Sequence, residues 1–152
     1  MPNPLKVYLD TSVPNGYLDD KNLERQRVTK EFWLKLKEYQ VFISEMVIEE
    51  IKATGGEERK QGLLKLVGDF ASLSSETAEI KILAEEYVIR GVIPAKHIED
   101  AIHIAIATVN SLDILVSWNF EHIVKLKTKR EVNAINLLLG YNQIEIIEPA
   151  ML

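Results

Sequence analysis

Leu5-Lys6-Val7-Tyr8-Leu9-Asp10-Thr11-Ser12 is a short run of strand formers that stops on a carboxylate and two hydroxyls. Apolar residues this dense suit a strand buried within a sheet. In open α/β sheets ligands gather at the carboxyl ends of the strands, where Asp10 falls. One acid in such a place means little, so the rest of the chain has to be read for others at equivalent ends.

The same grammar recurs. Val13-Pro14-Asn15-Gly16 reads as a turn-rich opening to a helical stretch. From Asn22 to Tyr39, Val28, Phe32, Leu36 and Tyr39 recur at helical spacing between Lys and Glu. Val41-Phe42-Ile43 is a second strand ended by Ser44, followed by a helix through Met46, Val47, Ile48 and Ile51 that stops near Gly55-Gly56. Glu57 to Val67 is helical, and Phe70 to Ser74 is a brief edge strand. Ser75 reads as the N-cap of a helix over Glu76 to Arg90, with Gly91 as its stop. Pro94 precedes an apolar helix, His97 to Val109. Ile114-Leu115-Val116 is a buried strand, Lys125 to Leu139 a helix ending at Gly140, and Ile144 to Ile147 the last strand. Strands separated by helices predict a three-layer α/β/α sandwich around a parallel sheet of four to five strands, of Rossmann-like kind, with residues 1–152 as one domain.

Composition bounds the function. Of 152 residues, 47% are apolar and 27% charged, an ordinary globular balance. No apolar stretch approaches the ~20 residues that span a bilayer, and Met1-Pro2-Asn3-Pro4 lacks the basic and apolar regions of a secretory leader. Cysteine is absent, which suits a cytoplasmic location and excludes disulfides. The net charge of −5 argues against a simple DNA-binding module. It leaves room for an enzyme that approaches phosphate through bound cations, because cations reverse the local sign.

Four polar positions fall at the ends of apolar elements. Asp10 ends the first strand, Glu50 lies on the helix after the second, Asp100 opens the helix after Pro94, and Asn119 follows the strand ending in Val116-Ser117. Parallel strands bring Asp10 and Asn119 to one sheet edge, and the helices there can bring Glu50 and Asp100 close. Clustered carboxylates repel one another and lose hydration, so their charged forms need a partner. A hard divalent cation, Mg²⁺ or Mn²⁺, satisfies such an oxygen-only set. It can also polarise a phosphodiester and activate a water near neutral pH.

The blocks "YLDTSV", "ISEMVIEEI", "EDAIHIAIA" and "ILVSWNF", in that order over about residues 6 to 123, resemble the PIN-domain family of metal-dependent nucleases, including the toxins of VapBC-type toxin–antitoxin pairs. The resemblance implies an α/β/α sandwich that cuts RNA with Mg²⁺ or Mn²⁺ held by three or four acids. Carried over by position, Asp10, Glu50 and Asp100 match the first three acids. Asn119, the fourth candidate catalytic residue, stands where many relatives carry Asp; its amide oxygen can coordinate a hard cation or orient a water but adds no negative charge. The match favours Glu50 over its neighbour Glu49, and Asp100 over Glu99. Thr11, Ser12 and Ser117 are candidates to orient Asp10 or its metal water from behind the ligands; each could equally satisfy only its own turn. The resemblance also implies a homodimer and a protein antitoxin whose tail enters the acidic cleft.

Other features read more plainly. His97, His103 and His122 lack zinc-type spacing with any cysteine, and a lone histidine on a packed helix is more often structural. Trp118 could stack on an unpaired base but is expected to pack against the last helices. Lys125, Lys127, Lys129 and Arg130 form either a phosphate-contacting patch or a solvated helix face. Leu137, Leu138 and Leu139 read as core or dimer contacts.

The expected function is therefore a metal-dependent endoribonuclease acting on RNA. The alternative is a catalytically weak or inactive domain of the same fold that binds RNA or a protein partner. A phosphatase or nucleotide-binding Rossmann-like protein is disfavoured. The chain has no Gly-x-Gly-x-x-Gly turn, no Gly-Lys-Ser/Thr loop and no second Asp two residues beyond Asp10.

Overall fold

The computed structural model describes residues 3–152, so the reading of the Met1-Pro2 start lies outside the described residues. Its centre is a five-stranded parallel sheet with the order β3-β2-β1-β4-β5. The strands are β1 (Lys6–Leu9), β2 (Gln40–Ser44), β3 (Ala71–Leu73), β4 (Ile114–Val116) and β5 (Glu145–Ile147). Val7, Tyr8 and Leu9 of the central strand are all 0% exposed, which requires cover on both faces. That is why the opening run shows no alternation.

Seven α-helices among the described residues provide the cover: α1 (Ser12–Tyr17), α2 (Leu23–Lys35), α3 (Glu45–Lys52), α4 (Glu57–Val67), α5 (Ala78–Ile89), α6 (Ile98–Val109) and α7 (Leu126–Leu138). The result is the three-layer α/β/α arrangement expected of a PIN-like chain. None of the helices is long and apolar enough to cross a membrane. α6 buries Ala101, His103, Ile104, Ala105, Ile106, Ala107 and Thr108, so it is covered nearly all round and packs along α5.

Several boundaries differ from the sequence reading for identifiable reasons. Val13-Pro14-Asn15-Gly16 lies inside the short helix α1 rather than in a turn, with Pro14 in the first turn where its missing N–H costs nothing. The helix expected over residues 22–39 starts at Leu23 with Asn22 as its N-cap, and its last turn tightens to a 3₁₀ turn at Leu36–Glu38. Thr77, not Ser75, caps α5. The Ser75 hydroxyl instead accepts the Met46 N–H at 2.7 Å, satisfying a free donor at the start of α3.

The topology fixes where a site can form. From β1 the chain moves outward to β2 and β3, then returns to place β4 on the other side of β1. β1 and β4 thus flank the topological switch point, where their carboxyl ends open a crevice. Leu9 is in register with Val116. The next residue on each strand is Asp10 and Ser117.

Candidate active site

Asp10 is held by hydroxyls from both sides of the crevice. Its Oδ1 accepts the Ser12 N–H at 3.1 Å and the Ser12 hydroxyl at 2.5 Å. Its Oδ2 accepts the Ser117 hydroxyl at 2.5 Å. Both hydroxyls are fixed in turn, since Ser12 Oγ accepts the Trp118 N–H at 2.8 Å and Ser117 Oγ the Asn119 N–H at 2.9 Å. The residue is only 4% exposed. Burial pushes its carboxyl up from the ordinary range, while the nearby His103 and the two serine hydroxyls pull the other way.

Glu50 arrives from α3, which starts directly after β2 because the Ser44 hydroxyl accepts the Val47 N–H. Glu50 Oε1 accepts the Thr11 hydroxyl at 2.6 Å and meets His103 Nε2 at 2.8 Å. Its Oε2 takes no hydrogen bond from the described residues. Burial works against its charge, yet the His103 contact, with Thr11 behind it, holds the carboxyl below the usual glutamate range. Glu49 is exposed, as is Glu99, so Glu50 and Asp100 are the members of each acidic pair that face inward.

His103 is the residue that sequence reasoning set aside as structural. Its side chain is 3% exposed and stands one helical turn after Asp100. While Nε2 faces Glu50, Nδ1 meets the Tyr8 hydroxyl at 2.7 Å, and that hydroxyl reaches Ser44 Oγ at 2.8 Å. A carboxylate can only accept, so Nε2 carries a proton. Nδ1 then accepts from Tyr8 in the neutral ring and donates to it in the imidazolium, with the Ser44 hydroxyl able to turn either way. Burial alone disfavours the imidazolium, but the Glu50 hydrogen bond and the charges of Asp10, Glu50 and Asp100 lift its pKa above the ordinary value. The Asp-Ala-x-x-x-Ala block contained the clue, an (i, i+3) spacing that puts Asp100 and His103 on one helix face.

Asp100 is half-buried in the first turn of α6. Burial raises its pKa, and the Asn119 side-chain amide together with the imidazoles of His122, His103 and His97 counter that rise. Asn119 also spends its Oδ1 on the His122 N–H at 2.9 Å, and its backbone carbonyl accepts from Ile123 and Val124. It therefore anchors the turn after β4, with its amide toward Asp100.

The structure thus brings Asp10, Glu50 and Asp100 to the same crevice, with Thr11, Ser12 and Ser117 in direct contact with the first two. The acids do not form a tight triplet. Among the described residues, the set of acidic and imidazole side chains whose donor atoms all lie within 4.8 Å is His97, Asp100 and His122. The buried His103 is hydrogen-bonded to Glu50 and lies near enough to Asp10 and Asp100 to feel their charges. Trp118 is expected from the sequence to pack against the last helices, but its polar contacts run to α2. Its Nε1 donates to Thr29 Oγ1 of α2 at 2.9 Å, and the Arg25 guanidinium lies 5.1 Å from its ring centre. Leu137 and Leu138 are more than half exposed, so they are not core.

The oxygen donors fit a hard cation. Glu50 Oε2 is unclaimed, Asp10 retains a lone pair after three hydrogen bonds, and burial makes the charges of Asp10 and Asp100 costly without a partner. Wide spacing suits Mg²⁺, which keeps several of its waters.

No protein-family model matches the sequence, and no curated protein matches it. Solved structures do match. One is a chain of the VapBC2 complex of Rickettsia felis, bound to a fragment of promoter DNA, with a TM-score of 0.58 at 12% identity over 95% of this chain and 98% of that one. Another is VapC20 of Mycobacterium tuberculosis, a toxin that cleaves the sarcin-ricin loop, with a TM-score of 0.56 at 15% identity over 91% and 98%. The described chain therefore has the VapC-like, PIN-type fold that the four sequence blocks resemble, over nearly its whole length.

Proposed function

We propose that this protein is a Mg²⁺- or Mn²⁺-dependent endoribonuclease, the toxin half of a VapBC-type pair. One observation carries the reading: acids from three separate elements, Asp10, Glu50 and Asp100, meet at the switch point of a sheet with the VapC fold. The ion would be held by these three carboxylates, and when bound it supplies Lewis acidity toward a phosphodiester and an activated water near neutral pH.

The protein's own contribution is positional. Ser12 and Ser117 lock the Asp10 carboxylate from opposite strands, so its remaining lone pair points one way. Thr11 and His103 fix one oxygen of Glu50 and leave the other free. Asn119 adds no negative charge to this set. It holds the turn that borders Asp100 and favours that residue's ionised form. RNA is the substrate we infer, and the sarcin-ricin loop activity of VapC20 makes a structured RNA the first to try. The expected setting is cytoplasmic, as a homodimer restrained by an antitoxin.

The test is RNA cleavage by the purified protein with Mn²⁺, compared with Asp10→Asn. Cleavage lost in the variant supports the enzyme. Equal absence of cleavage in both, with RNA or partner binding retained, favours the second reading, a non-catalytic binding domain. That reading draws on the missing fourth charge at Asn119.

A further inference from the structure

We propose a second metal site, selective for a borderline transition ion such as Zn²⁺, built from His97, Asp100 and His122 at the edge of the acidic crevice. The three donor atoms lie within 4.8 Å of one another. Ligands held about 2.0–2.2 Å from zinc stand roughly 3–4 Å apart, so closure needs only small side-chain rotations. Two imidazoles and one carboxylate are a nitrogen-rich set that suits zinc, nickel or cobalt and does not suit Mg²⁺.

Each ligand is placed by something other than the metal. His97 and Asp100 are an (i, i+3) pair at the start of α6, so they project from one face. His122 comes from the turn after β4, where its N–H is held by Asn119 Oδ1 at 2.9 Å and its carbonyl by the Thr128 hydroxyl at 3.1 Å. The two rings are packed with centroids 4.1 Å apart.

An independent observation points to a missing ligand. His122 Nε2 is buried and has no hydrogen-bond partner, and the nearest carboxylate, Glu121, stands off at 3.6 Å. The His97 side chain caps nothing. Buried polar atoms are nearly always satisfied, so an orphaned imidazole nitrogen beside a second imidazole and a carboxylate calls for an explanation. A bound cation provides one. Shared use of Asp100 would couple this site to the acidic one, with His97 and His122 supplying neutral donors on the side where Asn119 brings no charge.

The experiment is titration of metal-free protein with Co²⁺, read by its visible absorption, and with Zn²⁺, read by calorimetry. The expected result is Zn²⁺ binding that excess Mg²⁺ does not displace and that weakens at least about tenfold in His97→Gln and in His122→Gln. His97 lies outside the apolar core, so its variant keeps the test valid if His122→Gln fails to fold. Unchanged affinity in folded His97→Gln would overturn the site. So would loss of binding in Asp10→Asn, which would put the ion among the acids instead. Failure of RNA cleavage with Mn²⁺ would count against the nuclease and leave this titration untouched.

Discussion

His103 joins Glu50 to the sheet: Nε2 lies 2.8 Å from Glu50 Oε1 while Nδ1 lies 2.7 Å from the hydroxyl of Tyr8, a residue of the central strand. One ring thus ties α3, α6 and β1 together at the floor of the crevice. The charges of Asp10, Glu50 and Asp100 favour the ring's protonated form.

Removing that ring should be costly. In His103→Ala the cavity and the lost hydrogen bonds to Tyr8 and Glu50 together should lower stability by about 2–4 kcal/mol. The urea midpoint of the folded variant reads this directly, and a midpoint equal to the parent's would show that the network contributes little.

The same pair sets a pH dependence. His103, raised above its ordinary 6.5, contributes stability that is fully present below that pH and is lost as pH climbs through the folded value. Glu50, held below 4.5, contributes above that pH and loses its contribution as pH falls through its folded value. The pair is therefore strongest between these limits. Buried Asp10, raised above 3.8, adds a loss of the same sign as His103 when pH rises. The urea midpoint of metal-free protein should fall from about pH 6 to about pH 8, and His103→Gln should flatten that fall. A parallel decline in both proteins would assign the effect to other groups.

How much of this was legible beforehand follows from the range of each interaction. β1 and β4 were readable because Val7, Leu9 and Ile114 to Val116 are apolar for local reasons, being covered on both faces. The three acids were proposed from their places beside apolar elements and from the four resembling blocks: Asp10 follows β1, Glu50 lies on the helix after β2 and Asp100 is in the first turn of α6. α1 was missed because Pro14 and Gly16 look like breakers; Pro14 falls in the first turn, where its missing N–H costs nothing, and Gly16 sits where the indole of Trp118 leaves no room for a Cβ. The cap at Thr77 was assigned two residues early because Ser75 is an equally good cap in isolation; its hydroxyl is drawn away by Met46, 29 residues distant. His103 was rightly read as a packed, structural histidine, but its partners could not be named from the sequence because they lie 95 and 53 residues away.

Asp10→Asn separates chemistry from folding. Ser12 and Ser117 can reverse their hydroxyls to meet an amide, since each is both donor and acceptor. Burial already disfavours the aspartate charge. Stability should therefore stay within about 1 kcal/mol of the parent, while Mn²⁺-dependent RNA cleavage should fall by at least about a hundredfold if this carboxylate holds the ion. Thermal unfolding and a cleavage assay on one preparation check both parts; strong destabilisation would make the serine clamp a folding element instead.

Gly16 tests whether the wall behind the site is rigid. A Cβ there would stand 2.8 Å from Thr29 Oγ1 and 2.9 Å from Trp118 Nε1, the two atoms that share the α2–indole hydrogen bond. Gly16→Ala should therefore cost about 1–3 kcal/mol through overpacking. The displacement would be felt at Asp10, because the Trp118 N–H is donated to Ser12 Oγ, which itself donates to Asp10. Thr29→Ala removes one of the obstructing atoms, so the double variant should lose less than the sum of the two single losses, a coupling of about 0.5 kcal/mol or more. Additive losses in thermal unfolding would mean that the indole and α2 yield independently, and the wall would then be softer than its contacts imply.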